Sequence, residues 1–240
     1  MVDIAVYVHH PYCSWDSASG FVDAMGKDHN CIYFDETKLD DRFLNKFDMV
    51  VFPGGLGDVD VFDSLLRDKI DIIQNFVERG GKYLGICMGA YWAGSQYFDL
   101  ITPEPVQYIK QKDALTKRSY GTVLPVRWNK PHSYSGDLEY MFFYDGCTFK
   151  FIENEKFKEY VKTIKNLNDN SIKIIAWYGD YGDHDMGHPA AIIEGNVGAI
   201  GPHPESNKYW YESWSYMPQF WHHRRHHKIL KQFVTQLLVS

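Results

Sequence analysis

Apolar residues come in short unbroken runs over the first hundred positions. Residues 4–8 read Ile-Ala-Val-Tyr-Val and end in His9-His10-Pro11. A run this short that is apolar on both faces predicts a buried strand. Residues 31–34 and 48–52 repeat the pattern, and Pro53-Gly54-Gly55 closes the second of them. A Ser- and Asp-rich stretch over 14–19 reads as a loop leading into a helix through Phe21, Val22 and Met25. Ile70, Ile73, Phe76 and Val77 recur at helical spacing, and Gly80-Gly81 supplies a C-terminal cap. Residues 82–86 form the next strand and run straight into Cys87. The small and aromatic residues from Met88 to Phe98 predict a buried helix.

Strands alternating with helices imply a parallel sheet covered on both faces. The second half is patterned differently. Strand-like runs at 122–128, 140–144, 147–152, 172–178, 190–193 and 197–200 follow one another, several separated by Gly or Asn. They predict a β-rich, antiparallel extension of the sheet. A last helix over 224–239 places Ile229, Leu230, Phe233, Val234, Leu237 and Leu238 on one face. The expected architecture is α/β, a three-layer sandwich with a mainly parallel central sheet. With no internal repeat and no linker, residues 1–240 are expected to form a single domain.

Composition narrows the function classes. A formal net charge of −6 disfavours nucleic acid as the main partner. The start has no basic region ahead of an apolar core, and no stretch approaches a membrane span. The cysteines at 13, 31, 87 and 147 form no C-x-x-C pair, which argues against a zinc knuckle and a disulfide scaffold. A soluble protein of a reducing compartment, the cytoplasm, is expected, with no membrane partner.

Chemistry concentrates at Gly85-Ile-Cys87-Met-Gly89, a G-x-C-x-G between a strand and a helix. This is the thiol form of the nucleophile elbow: the glycines let strand and helix pack closely around a turn that thrusts the middle residue out. The turn places the Cys87 sulfur at the carboxyl edge of the sheet and at a helix start, which favours thiolate. Met88 N–H is the first candidate for receiving an oxyanion, and an amide of the Pro53-Gly54-Gly55 loop is the second. A buried structural cysteine and an ordinary turn are the competing readings. Further on, Gly201-Pro-His203-Pro-Glu205 should be extended, because proline disfavours helix in the residue before it. Residues two apart then share a side, so His203 can act as a base and Glu205 can orient it.

Pro53-Gly54-Gly55, Gly85-Ile86-Cys87-Met88-Gly89 and His203-Pro204-Glu205, in that order, resemble the signature motifs of class I glutamine amidotransferases. The resemblance implies a flavodoxin-like fold and a Cys-His-Glu triad acting through a thioester. Carried over, Cys87 is the nucleophile, His203 the base and Glu205 its partner. The amides of Gly55 and Met88 form the oxyanion hole, and Gly54 and Tyr91 are substrate-binding. Those enzymes usually have Gln where this chain has Tyr91, which argues against free glutamine as substrate. The run from Gly85 to Gly94, with its Ala90-Tyr91-Trp92, is closer to the amidotransferase-like N-terminal domain of eukaryotic-type biotin–protein ligases. The expected partner is a small-molecule or peptide amide, with no cofactor and no metal. A catalytically silent binding module on the same scaffold is the alternative, and a redox or glyoxalase-like thiol protein using Asp16 is a third reading.

Three further clusters carry titratable side chains. His222, His223, His226 and His227 make i, i+4 pairs on the predicted last helix, read as a solvated basic face in preference to a zinc site. His9, His10, Cys13 and Asp16 lie on the loop after the first strand, at the edge expected for Cys87. Asp183, His184, Asp185 and His188 read as a polar loop.

Overall fold

The computed structural model describes residues 1–130, 133–151, 172–179, 187–215 and 217–240. The strands, in chain order, are β1 (Asp3–Tyr7), β2 (Asn30–Phe34), β3 (Met49–Phe52), β4 (Lys82–Ile86), β5 (Glu104–Gln107), β6 (Thr122–Lys130), β7 (Ser133–Phe143), β8 (Cys147–Lys150), β9 (Ile172–Tyr178), β10 (Pro189–Glu194) and β11 (Val197–Ile200). The α-helices are α1 (Trp15–Met25), α2 (Asp41–Leu44), α3 (Phe62–Leu65), α4 (Ile70–Glu78), α5 (Met88–Trp92), α6 (Lys208–Glu212) and α7 (Arg225–Leu238).

The main sheet runs β2-β1-β3-β4-β11-β10-β9-β6-β7. Its first five strands pair in parallel, and from β11 onward every neighbour is antiparallel. The parallel layer joined to an antiparallel extension is the architecture the hydrophobic pattern predicts. A separate antiparallel pair joins β5 and β8.

Side-chain alternation sorts the parallel strands between two cores. Ile4, Val6, Met49, Val51, Leu84 and Ile86 face α1 and α7, where Phe21, Met25, Leu230, Phe233 and Leu237 cover them. Ala5, Tyr7, Val50, Phe52 and Tyr83 face the other way, onto Leu44, Phe62, Ile73, Phe76 and Trp92. A strand with apolar residues at both parities needs a helix layer on each side, which is why these runs are continuous rather than alternating.

Local chemistry explains where two elements depart from expectation. The 14–19 stretch is helix from Trp15 on, because the Ser14 side chain caps it by accepting from Ser17 N–H at 3.2 Å. The helix after Cys87 stops at Trp92 instead of running to Phe98. The chain turns there: Asp99 N–H bonds Gly94 O and Leu100 N–H bonds Ala93 O, with Asp99 at φ 52°. Phe98 is buried all the same, so its apolar character reports packing and not helix. The final helix, expected over 224–239, spans Arg225–Leu238.

Candidate active site

Four loops leave the carboxyl ends of the adjacent parallel strands β1, β3, β4 and β11 and converge. Open α/β sheets place ligands at such an edge. The first contributes Cys13 and, in α1, Ser17; the second Pro53-Gly54-Gly55; the third Cys87; the fourth His203 and Glu205.

Cys87 has φ 50° and ψ −103°, a conformation L-residues rarely adopt. The turn closes only because its flanks lack side chains. A Cβ on Gly85 would lie 2.2 Å from Gly89 O, and one on Gly89 would lie 1.9 Å from Phe52 O. Cys87 N–H is held by Ile200 O at 2.8 Å, and its thiol donates to Tyr144 O at 3.3 Å.

His203 and Glu205 face each other, but not from the extended backbone expected of them: Pro204 and Glu205 form a turn closed by Ser206 N–H to His203 O at 3.2 Å, which folds the carboxylate back to the ring. His203 Nδ1 is 2.8 Å from Glu205 Oε1, and both side chains are buried. The imidazole ring sits against Trp210 of α6 and Phe142 of β7. Burial works against a charged imidazole, but the Glu205 carboxylate and Cys87 outweigh it and raise the His203 pKa to about 10. His203 Nε2 makes no hydrogen bond of ordinary geometry among the described residues. Cys87 is nonetheless close enough for its charge to be felt at the ring.

The glycine loop touches both groups. A Cβ on Gly54 would lie 2.7 Å from His203 Cε1, and one on Gly55 would lie 2.2 Å from the Met88 thioether. Gly55 pairs with Cys13 in an isolated antiparallel bridge whose flanking bonds are Ser14 N–H to Gly54 O and Leu56 N–H to Tyr12 O. In that pattern the N–H of the bridged residue points away from its partner strand. The Gly55 N–H accordingly has no backbone acceptor among the described residues, and neither has that of Met88, the first residue of α5.

Tyr91 lies under the same loop that covers the sulfur, and its hydroxyl donates to Asp145 O at 3.2 Å. Asp145, at φ 48°, has its carboxylate held by Gln107 Nε2 at 2.7 Å. The turn after β7 thus places main-chain carbonyls of residues 144 and 145 above Cys87 and Tyr91.

Other flagged residues lie elsewhere or are packed. Asp16 is exposed in the first turn of α1, and His9 stacks on Tyr12. Cys13 is buried, and burial raises its thiol well above the ordinary range. Of the four histidines at the start of the last helix, His223 is exposed as expected, but His222, just before the helix, and His226 and His227 within it are buried and depart from the solvated face. His222 Nε2 and His227 Nε2 both bond Ser206 O, while His226 Nε2 meets Glu139 at 3.1 Å. Polar partners supplied by distant segments, which the helical periodicity does not reveal, account for that burial. Among the described residues no group of His, Cys, Asp or Glu could hold a metal ion. Asp183, His184 and Asp185 lie outside the described residues. No described helix is long and apolar enough to cross a membrane.

Ser17, Phe142, Trp210 and Tyr144 were missed by the motifs. The aromatic crowding at 209–221 was a signal for Trp210; nothing local marks the others.

Fold and loop arrangement define the class: the chain has the fold of the class I glutamine amidotransferases. A glutamine amidotransferase from Thermotoga maritima superposes with TM-score 0.63 at 12% identity, covering 100% of this chain and 99% of that one. PurLQS from the same organism superposes with TM-score 0.59 at 15% identity, covering 99% and 100%. More particularly, residues 24–105 match the family described as Biotin-protein ligase, N terminal. The phosphoribosylformylglycinamidine synthase subunit PurQ of Methanosphaera stadtmanae is 25% identical over 195 residues, which cover 77% of this chain and 79% of that protein. The chain therefore resembles both the amidotransferases and the biotin–protein ligase N-terminal region, as its three motifs imply.

Proposed function

We propose that the chain is a cysteine hydrolase of the amidotransferase type, acting on an amide or related acyl compound other than free glutamine. The observation that carries this reading is the buried His203–Glu205 pair beside a Cys87 held at positive φ. In the first step Sγ bonds the substrate carbonyl carbon while the cysteine's proton is held at His203 Nε2, the raised pKa keeping the ring charged near neutral pH. The N–H groups of Gly55 and Met88 receive the oxyanion. Collapse breaks the C–N bond, His203 returns the proton to the leaving amine, and a thioester remains on Cys87. Water then attacks with His203 as base, releasing the acid and restoring the thiol. Tyr91, with its hydroxyl bound to Asp145 O, fills space beside the thiol and argues against a glutamine side chain there. One relative is a synthase subunit, which supports a partner that supplies substrate or takes product.

A second reading is a silent binding module. It is favoured by the thiol's bond to Tyr144 O, which directs its proton away from His203. Iodoacetamide separates the two. Cys31 is only partly buried, yet burial raises its pKa to about 11, and Cys147 is fully enclosed with its thiol raised further. With the His203–Glu205 pair beside it to take the thiol proton, Cys87 is expected to be modified about 100-fold faster than Cys31 at pH 7.5 by peptide mapping. The advantage should vanish in His203→Ala. Equal labelling of Cys87 and Cys31 in the wild type, with no Cys87-dependent turnover of aryl amides, would leave the silent module as the answer.

A further inference from the structure

Ser17 lies on no motif, yet it touches both halves of the site. Its Oγ–H donates to Glu205 Oε1 at 2.6 Å, the same oxygen that pairs with His203 Nδ1 at 2.8 Å. The same Oγ accepts Gly54 N–H at 2.9 Å. Ser17 and Glu205 are both fully buried, so water does not compete for these bonds. With Gly54 N–H on one lone pair, the hydroxyl proton is committed to the carboxylate.

The approach is built into α1. Ser14 bonds the Ser17 amide at 3.2 Å and fixes the first turn. One turn along the same face, a Cβ on Gly20 would lie 2.4 Å from Glu205 O, so that glycine lets the helix close on the carboxylate's backbone. From the other side, His222 and His227 grip the carbonyl of Ser206, the next residue. Glu205 is thus held through its side chain by α1 and through its neighbour by the segment leading into α7.

We infer that Ser17 is a positioning residue that couples the His203–Glu205 pair to the Pro53-Gly54-Gly55 loop, so that the protonation state of the pair is transmitted to the loop amides. Charge on the pair orients and polarises the hydroxyl, and the hydroxyl sets the bond strength at Gly54 N–H. The inference rests on the proposed function only for its catalytic meaning, since the coupling itself is a property of the resting protein.

The test is an NMR titration of the full chain from pH 6 to 11, following the His203 ring and the Gly54 and Gly55 amides. In the wild type the Gly54 amide is expected to move with the same midpoint as the ring. In Ser17→Ala the ring still titrates, but the Gly54 response falls at least about threefold; Ser17→Thr, which keeps the hydroxyl, restores it. A purely structural serine would leave the amide's response unchanged in a folded Ser17→Ala protein. A Gly54 amide that follows the ring as strongly in Ser17→Ala as in the wild type, or that ignores the ring in the wild type, overturns the inference. These readouts need no substrate, so absence of turnover would count against the hydrolase reading and not against the coupling. Where turnover is found, Ser17→Ala should lower kcat about tenfold with KM little changed.

Discussion

Replacing Glu205 by Gln and Cys87 by Ser together is expected to bring the pKa of His203 from about 10 to below its ordinary 6.5. Burial disfavours the charged ring; Glu205, by charge and hydrogen bond, and Cys87, by charge, are what overcome it. With both charges removed, only a neutral hydrogen bond from Nδ1 is left to oppose the cost of burial. The change in proton affinity is on the order of a thousandfold or more. Each single variant should lower the pKa by part of that span, and ring NMR reads all three. Stability follows with a definite sign. A histidine whose folded pKa lies above 6.5 contributes stability that is full below pH 6.5 and is lost as pH rises through about 10. In the double variant the sign reverses, and stability is gained as pH rises toward 6.5. Urea unfolding at pH 5, 7 and 9 should therefore show the wild-type advantage shrinking with pH. A His203 that still titrates near 10 in the double variant would remove the pair from its proposed role.

Much of this was written in the sequence, for reasons that particular residues make plain. Strand runs such as Ile4 to Tyr7 and Met49 to Phe52 are apolar at every position because both faces are covered. Turn residues fix where those runs end, so the loops bearing Gly54, Cys87 and His203 fall at one edge. Other features depend on contacts between segments far apart, which spacing does not encode. Ser17 meets Glu205 across 188 positions. His226 is buried because Glu139, on β7, reaches it, and Arg225 shares the same carboxylate oxygen. β7 itself begins at Ser133, well before the apolar residues that announced it at 140, because pairing with β6 organises a polar stretch. Conversely, Phe98 looked helical because aromatic burial and helical periodicity cannot be separated over so short a segment.

The elbow yields the largest stability effect expected of a one-atom change. Gly89→Ala would place a methyl carbon 1.9 Å from Phe52 O and 2.6 Å from Phe52 C. Both are backbone atoms of β3, which pairs with β1 on one side and β4 on the other. No flexible side chain is there to give way, so α5 must lift from the sheet and carry Cys87 with it. Overpacking of ordinary cores costs about 1–3 kcal/mol through side-chain adjustment. A backbone collision at the centre of a sheet belongs with the exceptional cases of roughly 4 kcal/mol or more. Against a total of about 5–15 kcal/mol for a domain, that removes a large share of the stability. Gly57→Ala is the matched control: its Cβ would meet Tyr12 Cδ1 at 3.5 Å, an ordinary contact. It should change stability by less than about 1 kcal/mol. Urea midpoints compare the two directly, and where Gly89→Ala still folds, iodoacetamide should no longer single out Cys87. A Gly89→Ala protein as stable as Gly57→Ala would mean that the turn has room to spare, and the close fit of strand to helix would no longer explain the backbone at Cys87.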